Sequence, residues 1–272
     1  MSYKPLFITH TTLTSNSTLM FGICNLSIIP LRVEPNDRSE IVSQVLYGEH
    51  FEIMEQWKQW SKIKLHFDNY EGWVDTKQFQ SITEIDYNLL SNHEIILNSD
   101  LIEYIIGPNN FMLPIPLGAS LSFLNFKTIN PFEFEFEGTK ISGIKPKYNL
   151  INTAFMYLNA PYLWGGKTPF GIDCSGFTQM VYKINGYQLL RDASQQALQG
   201  DALSFIEESE PGDLAFFDNE EGNIIHVGII MENNYIIHAS GKVRVDRLDH
   251  LGIYNAEVNR HTHKLRVIKK II

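Results

Sequence analysis

The sequence predicts a multidomain chain: two small all-β barrels followed by an α+β domain. Three observations carry this reading. Before about residue 150, apolar and β-branched residues fall in short runs separated by turn signals. Beyond it, two stretches with helical spacing precede a series of β-rich runs, which is the α+β order. At 272 residues the chain has room for two domains or more.

The first barrel takes residues 1–82, with an N-terminal extension. Its strands are expected at 27–33, 51–56, 61–66 and 72–74, divided by turns at 34–37, 47–49 and 68–72. Trp57, Trp60 and Trp73 would supply an aromatic core or a binding groove. The second barrel takes residues 83–146, with strands at 94–97, 102–106, 119–126 and 132–136. The last of these reads Phe-Glu-Phe-Glu-Phe, a strict alternation that buries one face and wets the other. Pro108, Pro114 and Pro116 mark loops or sheet edges. Lys145-Pro146-Lys147 is a linker, and residues 147–272 form the third domain. A helix over 148–158 carries Leu150, Ile151, Ala154, Phe155 and Leu158 at helical spacing. A second helix starts at Cys174, carries Phe177, Met180, Val181 and Ile184 on one face, and stops at Asn185-Gly186. Strands follow at 213–217, 224–231, 235–239, 243–246 and 265–269.

Bulk properties narrow the function. The net charge is −9 and no Lys/Arg cluster stands out, which argues against a nucleic-acid partner. No window approaches the ~20 apolar residues of a membrane span. The first ten residues lack the pattern of a signal peptide, so a cytoplasmic location is expected. The cysteines number two, Cys24 and Cys174, too few for a disulfide framework, and there is no CxxC or HExxH. Cys24 reads as a small buried hydrophobe.

Cys174 reads differently. It follows a loop containing Gly165, Gly166 and Gly171, and it opens a helix. A thiol at a helix N-terminus sits in the positive end of the backbone dipole, which favours thiolate. The N–H groups there can also stabilise a developing oxyanion. His226 and His238, on neighbouring predicted strands, supply a general base and a group that orients it. Parity tests the pairing. A two-residue turn at Asn233-Asn234 would send the two even-numbered histidines to opposite faces. A shared site needs an odd loop such as 232–234, or a bulge. That loop puts His238 opposite Gly228, diagonal to His226. His261 and His263 share a strand face, but no further ligand stands at metal-binding spacing, so neither metal nor cofactor is expected.

Trp-Gly-Gly, Asp-Cys-Ser-Gly-Phe, Pro-Gly-Asp-Leu-Ala-Phe-Phe, His-Val-Gly-Ile and Ile-His-Ala-Ser-Gly occur in order over residues 148–272. In these the chain resembles the NlpC-type cysteine peptidases. The resemblance implies a papain-like core, cleavage of peptidoglycan stem peptides, Cys174 as nucleophile, His226 as base and His238 as its orienting partner. Two SH3-like barrels before such a domain resemble the dipeptidyl-peptidase VI branch. That branch takes short muropeptides with a free N-terminal L-Ala and cuts between γ-D-Glu and a diamino acid during cell-wall recycling. The resemblance implies that Asp173, Ser175, Tyr70 and an acid from the first barrel hold the substrate ammonium. Glu40 is the choice for that acid, with Glu34 and Glu49 as rivals. Ser194 and Arg191 are assigned to the α-carboxylate of D-Glu, unless Arg191 holds the loop instead. Trp164 joins the substrate-binding set. A general wall endopeptidase, a non-catalytic module that binds wall fragments, and a Cys-His enzyme acting on a lipid or another amide are the alternatives.

Overall fold

The computed structural model of the chain describes residues 20–131 and 133–272; residues 1–19 of the expected N-terminal extension, and Phe132 in the expected strand at 132–136, lie outside them. The first unit contains β1 (Met20–Ile23), β2 (Ile28–Arg32), β3 (Ile41–Leu46), β4 (His50–Trp57), β5 (Trp60–Leu65), β6 (Glu71–Asp75) and β7 (Gln80–Ile82). They form one antiparallel sheet in the order β3-β2-β6-β5-β4-β1-β7. Alternate residues of β2 to β6 turn inward onto one core of Cys24, Ile29, Leu31, Val45, Phe51, Ile53, Ile63, Leu65 and Val74, so the sheet is rolled. The tryptophans do not build that core. Trp60 is buried outside it, Trp73 is half-buried, and Trp57 is exposed with the Lys58 ammonium over its ring. Cys24 is fully buried and its thiol donates to the Leu26 carbonyl.

The second unit is not a single closed barrel among the described residues. It has two separate sheets: β8 (Ile96–Asn98) with β12 (Lys140–Ser142), and β9 (Ile102–Gly107) between β10 (Phe111–Pro116) and β11 (Glu135–Phe136). Pro114 and Pro116 fall in β10, where they cannot donate to a further strand, and β10 is accordingly an edge. Residues 119–126 do not form the expected strand; they include a 3-10 turn at Ser122–Asn125. There the Ser122 hydroxyl accepts from the Ile96 N–H and donates to the Glu94 carbonyl, replacing ladder bonds with side-chain bonds. A helix that the sequence reading omitted, α1 (Glu84–Ser91), is capped by the Thr83 hydroxyl, which accepts from the Asp86 N–H. The core of this unit takes in Ile23 and Tyr47 of the first, so the two units pack as neighbours.

The third unit opens with α2 (Asn149–Met156), the short hairpin of β13 (Lys167–Thr168) and β14 (Gly171–Ile172), α3 (Cys174–Ile184) and α4 (Ala193–Gln196). It continues with β15 (Asp201–Leu203), β16 (Leu214–Asp218), β17 (Ile224–Met231), β18 (Tyr235–Ser240), β19 (Lys242–Asp249), β20 (Gly252–Asn255) and β21 (Arg260–Lys270). The sheet order is β15-β21-β16-β17-β18-β19-β20, and β20 also pairs with β21, so the sheet closes on itself. Apolar residues of α2 and α3 share a core with Leu214, Phe216, Val227, Ile229 and Ile237 on one face. Ala215, Phe217, Ile230, Ile236, Leu248, Ile253 and Ile268 fill the other. This is the α+β arrangement the spacing predicted, with β15 and β20 added.

Glu49 ties the first unit to the third. Its carboxylate meets Lys167 Nζ at 3.2 Å and Lys183 Nζ at 2.6 Å, all three side chains being buried. Burial pushes the carboxyl up, but the two ammonium groups pull it down further, to about 2. Glu49 is therefore a structural ion-pair centre and not free to meet a ligand.

Candidate active site

The helix start forms as its sequence requires. Asp173 is the N-cap of α3, its Oδ1 accepting from the Gly176 N–H at 2.6 Å. Its Oδ2 accepts from the Gly165 N–H at 2.8 Å, so one carboxylate binds the glycine loop to the helix. Gly165 has φ +77°, and a Cβ there would lie 2.4 Å from the Ile41 carbonyl oxygen. Only glycine lets this loop press on the barrel. Cys174 is then held at the first helical position, 6 % exposed.

The Cys174 thiol lines a cavity of about 460 Å³ with Val42, Tyr70, Trp164, Asp192 and Ser194. Burial and the neighbouring Asp173 carboxylate push the thiol up to about 12. The N–H groups of Val227 and Ser175 and the Arg191 guanidinium pull the other way and do not prevail. This corrects the expectation of a resting thiolate: the dipole of α3 acts in the expected direction, but desolvation beside a carboxylate is the larger effect. The contact with the Val227 N–H sets the sulfur against the backbone of β17 one residue from His226.

β17 and β18 join through the three residues Glu232–Asn234, Met231 stands opposite Tyr235, and Gly228 stands opposite His238, the odd-loop register expected. A Cβ on Gly228 would lie 2.8 Å from the His238 Cβ, so glycine makes room for the ring. His226 Nε2 and His238 Nδ1 are 2.8 Å apart, and His238 Nε2 lies 3.0 Å from Asp246 Oδ2. Asp246 also receives Arg244 Nε at 2.7 Å and a second guanidinium nitrogen at 3.1 Å. Burial raises the Asp246 carboxyl, while His238 and Arg244 lower it further, so it is ionised and can only accept. His238 must then donate from Nε2, which leaves its Nδ1 as an acceptor. His226 therefore donates from Nε2, and its Nδ1 carries the lone pair. Burial and the two imidazoles His238 and His263 hold His226 well below the usual histidine range, so the ring is neutral near pH 7.

The remaining candidates divide clearly. Arg191 is 1 % exposed and fully engaged: it donates to both Asp173 oxygens at 3.0 and 2.6 Å, to Ser175 Oγ at 3.0 Å and to Ser43 Oγ at 3.0 Å. It holds the loop and ties Asp173 to Ser175, and all three line the same cavity as Cys174. Tyr70 lines the cavity and donates to Asp192 Oδ1 at 3.1 Å. Ser194 is exposed and lines the same cavity. Glu40 does not line it; its carboxylate accepts from Trp164 Nε1 at 2.6 Å, bridging barrel and peptidase domain. Glu34 is exposed on the barrel. His261 pairs with Asp249, and His263 stacks on His226. Among the described residues, no three His, Cys, Asp or Glu side chains gather as metal ligands, and no helix is long and apolar enough to cross a membrane.

Sequence reasoning missed Asp192, Asp246 and Tyr162, and weighed His263 only as a metal ligand. Burial is the main cause that pushes the Asp192 carboxyl up, and Tyr70 and Arg191 only partly oppose it. The Tyr162 phenol is pushed up to about 12 by burial and by the nearby Cys174 and Asp173.

Known proteins resemble both the barrel and the peptidase part of the chain. Residues 159–262 match the NlpC/P60 family, and residues 31–79 match the bacterial dipeptidyl-peptidase SH3 domain. A gamma-D-glutamyl-L-lysine dipeptidyl-peptidase of Bacillus subtilis is 27% identical over 219 residues, covering 73% of this chain and 72% of the relative. Dipeptidyl-peptidase 6 of Lysinibacillus sphaericus is 25% identical over 248 residues, covering 80% and 88%. The crystal structure of an NlpC/P60 family protein from Bacillus cereus superposes with a TM-score of 0.75 at 20% identity, over 92% of this chain and 99% of that one, which supports the shared fold. The chain thus carries an NlpC/P60 cysteine peptidase domain behind an SH3 domain of the bacterial dipeptidyl-peptidase type.

Proposed function

We propose that the chain hydrolyses the γ-D-Glu–diamino acid bond of short peptidoglycan stem peptides with a free N-terminal L-Ala, releasing L-Ala-γ-D-Glu in cell-wall recycling. One observation carries the proposal. The cavity beside Cys174 is walled on the barrel side by Tyr70, which meets the half-buried Asp192 carboxylate. Burial makes that charge costly, and an incoming ammonium would offset the cost. In this reading Asp192 and Tyr70 bind the amine, with Asp173 and Ser175 on the same cavity wall, while Ser194 meets the D-Glu α-carboxylate and Glu40 steadies Trp164. The names of the Bacillus and Lysinibacillus relatives fit the same substrate class.

The chemistry follows from the proton positions. Cys174 Sγ attacks the γ-carbonyl carbon as His226 Nδ1 takes the thiol proton. The resulting imidazolium is stabilised through His238 by Asp246. Asp173 caps the Gly176 N–H, which leaves the first-turn N–H of Cys174 for the oxyanion. His226 then protonates the leaving amine as the C–N bond breaks. Water, deprotonated by His226, attacks the thioester, frees L-Ala-γ-D-Glu and returns the proton to sulfur. Mass spectrometry of products from L-Ala-γ-D-Glu-L-Lys and its diaminopimelate counterpart tests the reading. L-Ala-γ-D-Glu and the free diamino acid are expected; no cleavage, or cleavage after L-Ala, overturns it.

A further inference from the structure

His263 lies on β21, outside the Cys174–His226–His238–Asp246 series, yet its ring covers the face of the base. The His263 and His226 centroids are 4.2 Å apart with planes 26° from parallel. Phe217 tilts against His226 at 5.7 Å and meets His263 edge-on at 6.0 Å. His238 meets His226 edge-on at 5.0 Å, through the hydrogen bond already described. That bond fixes one nitrogen of His226 but leaves the ring free to pivot about the Nε2–Nδ1 line. A ring stacked on the face removes that freedom. Thr262 Oγ1 lies 2.9 Å from His263 Nδ1 and holds the stacking ring in turn. Burial is the main cause that brings His263 down to about 4, so near pH 7 it offers a neutral face to the base.

We propose that His263 is a positioning residue for this peptidase: by stacking on His226 it sets the plane of that ring and hence the direction of its Nδ1 lone pair. The inference rests on His226 being the base, and it needs no particular peptide substrate. Offset aromatic stacking is directional, and a misplacement of about 1 Å at a reacting group costs on the order of 10²-fold in rate.

The test uses the full chain at pH 7 with two readouts: kcat and KM on L-Ala-γ-D-Glu-L-Lys, and the rate of Cys174 alkylation by iodoacetamide, assigned by peptide mass. His263→Ala is expected to lower kcat and the alkylation rate, each by about 10²-fold, with KM unchanged. His263→Phe, which keeps a flat ring, restores most of both. Should His263→Ala not fold, His263→Gln takes its place, with a polar side chain but no ring. A ringless variant that is alkylated at the wild-type rate overturns the proposal. So does His263→Phe remaining as slow as His263→Ala, because stacking would then not be what matters. Slow alkylation in the ringless variant, rescued by Phe, in a protein that leaves the tripeptide uncut, upholds the role of His263 and removes only the substrate assignment.

Discussion

Cys174→Ala is expected to lower kcat by on the order of 10⁶-fold while the protein stays folded. The nucleophile is lost, yet the helix start survives, because Asp173 caps α3 and Arg191 holds Asp173 whatever stands at 174. The variant is also the blank for the resting state of the thiol. With the thiol pushed up to about 12 and His226 held well below the usual histidine range, the neutral pair is favoured near pH 7 over thiolate and imidazolium. The sign follows: a group with a raised pKa stays protonated until pH climbs toward it. Thiolate absorbance, wild type minus Cys174→Ala, should therefore be negligible at pH 7 and grow only in strong alkali. A full thiolate signal at pH 6 would contradict this. In the neutral pair, substrate binding drives a proton transfer that the free enzyme has not made.

Asp246→Asn should lower kcat by about 10³–10⁴-fold, with KM nearly unchanged, because residue 246 lies outside the cavity lining. The carboxylate accepts from His238 and doubly from Arg244, and every one of those contacts requires an acceptor. In either orientation an asparagine turns its NH₂ toward one of these donors. Where it faces His238, the tautomers of both imidazoles reverse and the His226 Nδ1 gains a hydrogen. Where it faces Arg244, the imidazolium still loses its counter-charge. Steady-state kinetics check this, and a kcat within about tenfold of wild type would mean that His238 alone sets the base.

Much of the catalytic half was legible because its constraints are local. The N-cap, the glycine loop and the 3.6-residue spacing define α3 without tertiary information. The β17–β18 register followed from parity, since pairing arithmetic admits few solutions. Asp246 was within the same reach: His238 stands opposite Arg244, so Asp246 is its diagonal neighbour on that face. His263 was harder to read, because it reaches His226 across β16 in a sheet whose register slips between Phe216 and Phe217. The protonation state of Cys174 was read wrongly because desolvation depends on the depth of the finished site, while the helix dipole is visible in sequence. The protein contacts of the candidate acids were hidden for a related reason. Asp173 flanks the nucleophile, but Arg191, 18 residues away, saturates it. Glu40 and Glu49 are alike in sequence, yet one holds an exposed indole and the other two buried lysines. The second unit escaped because short apolar runs between prolines do not say how many sheets they join.

The proposed specificity lies in a cleft that reads a free amino end beside a cysteine nucleophile. The most direct measurement compares kcat/KM for L-Ala-γ-D-Glu-L-Lys with that for its Nα-acetyl analogue. Acetylation removes the charge and leaves the half-buried Asp192 without the substrate's ammonium, so a loss of on the order of 10²-fold or more is predicted. Equal rates on the two peptides would contradict it and make the chain a general stem-peptide endopeptidase.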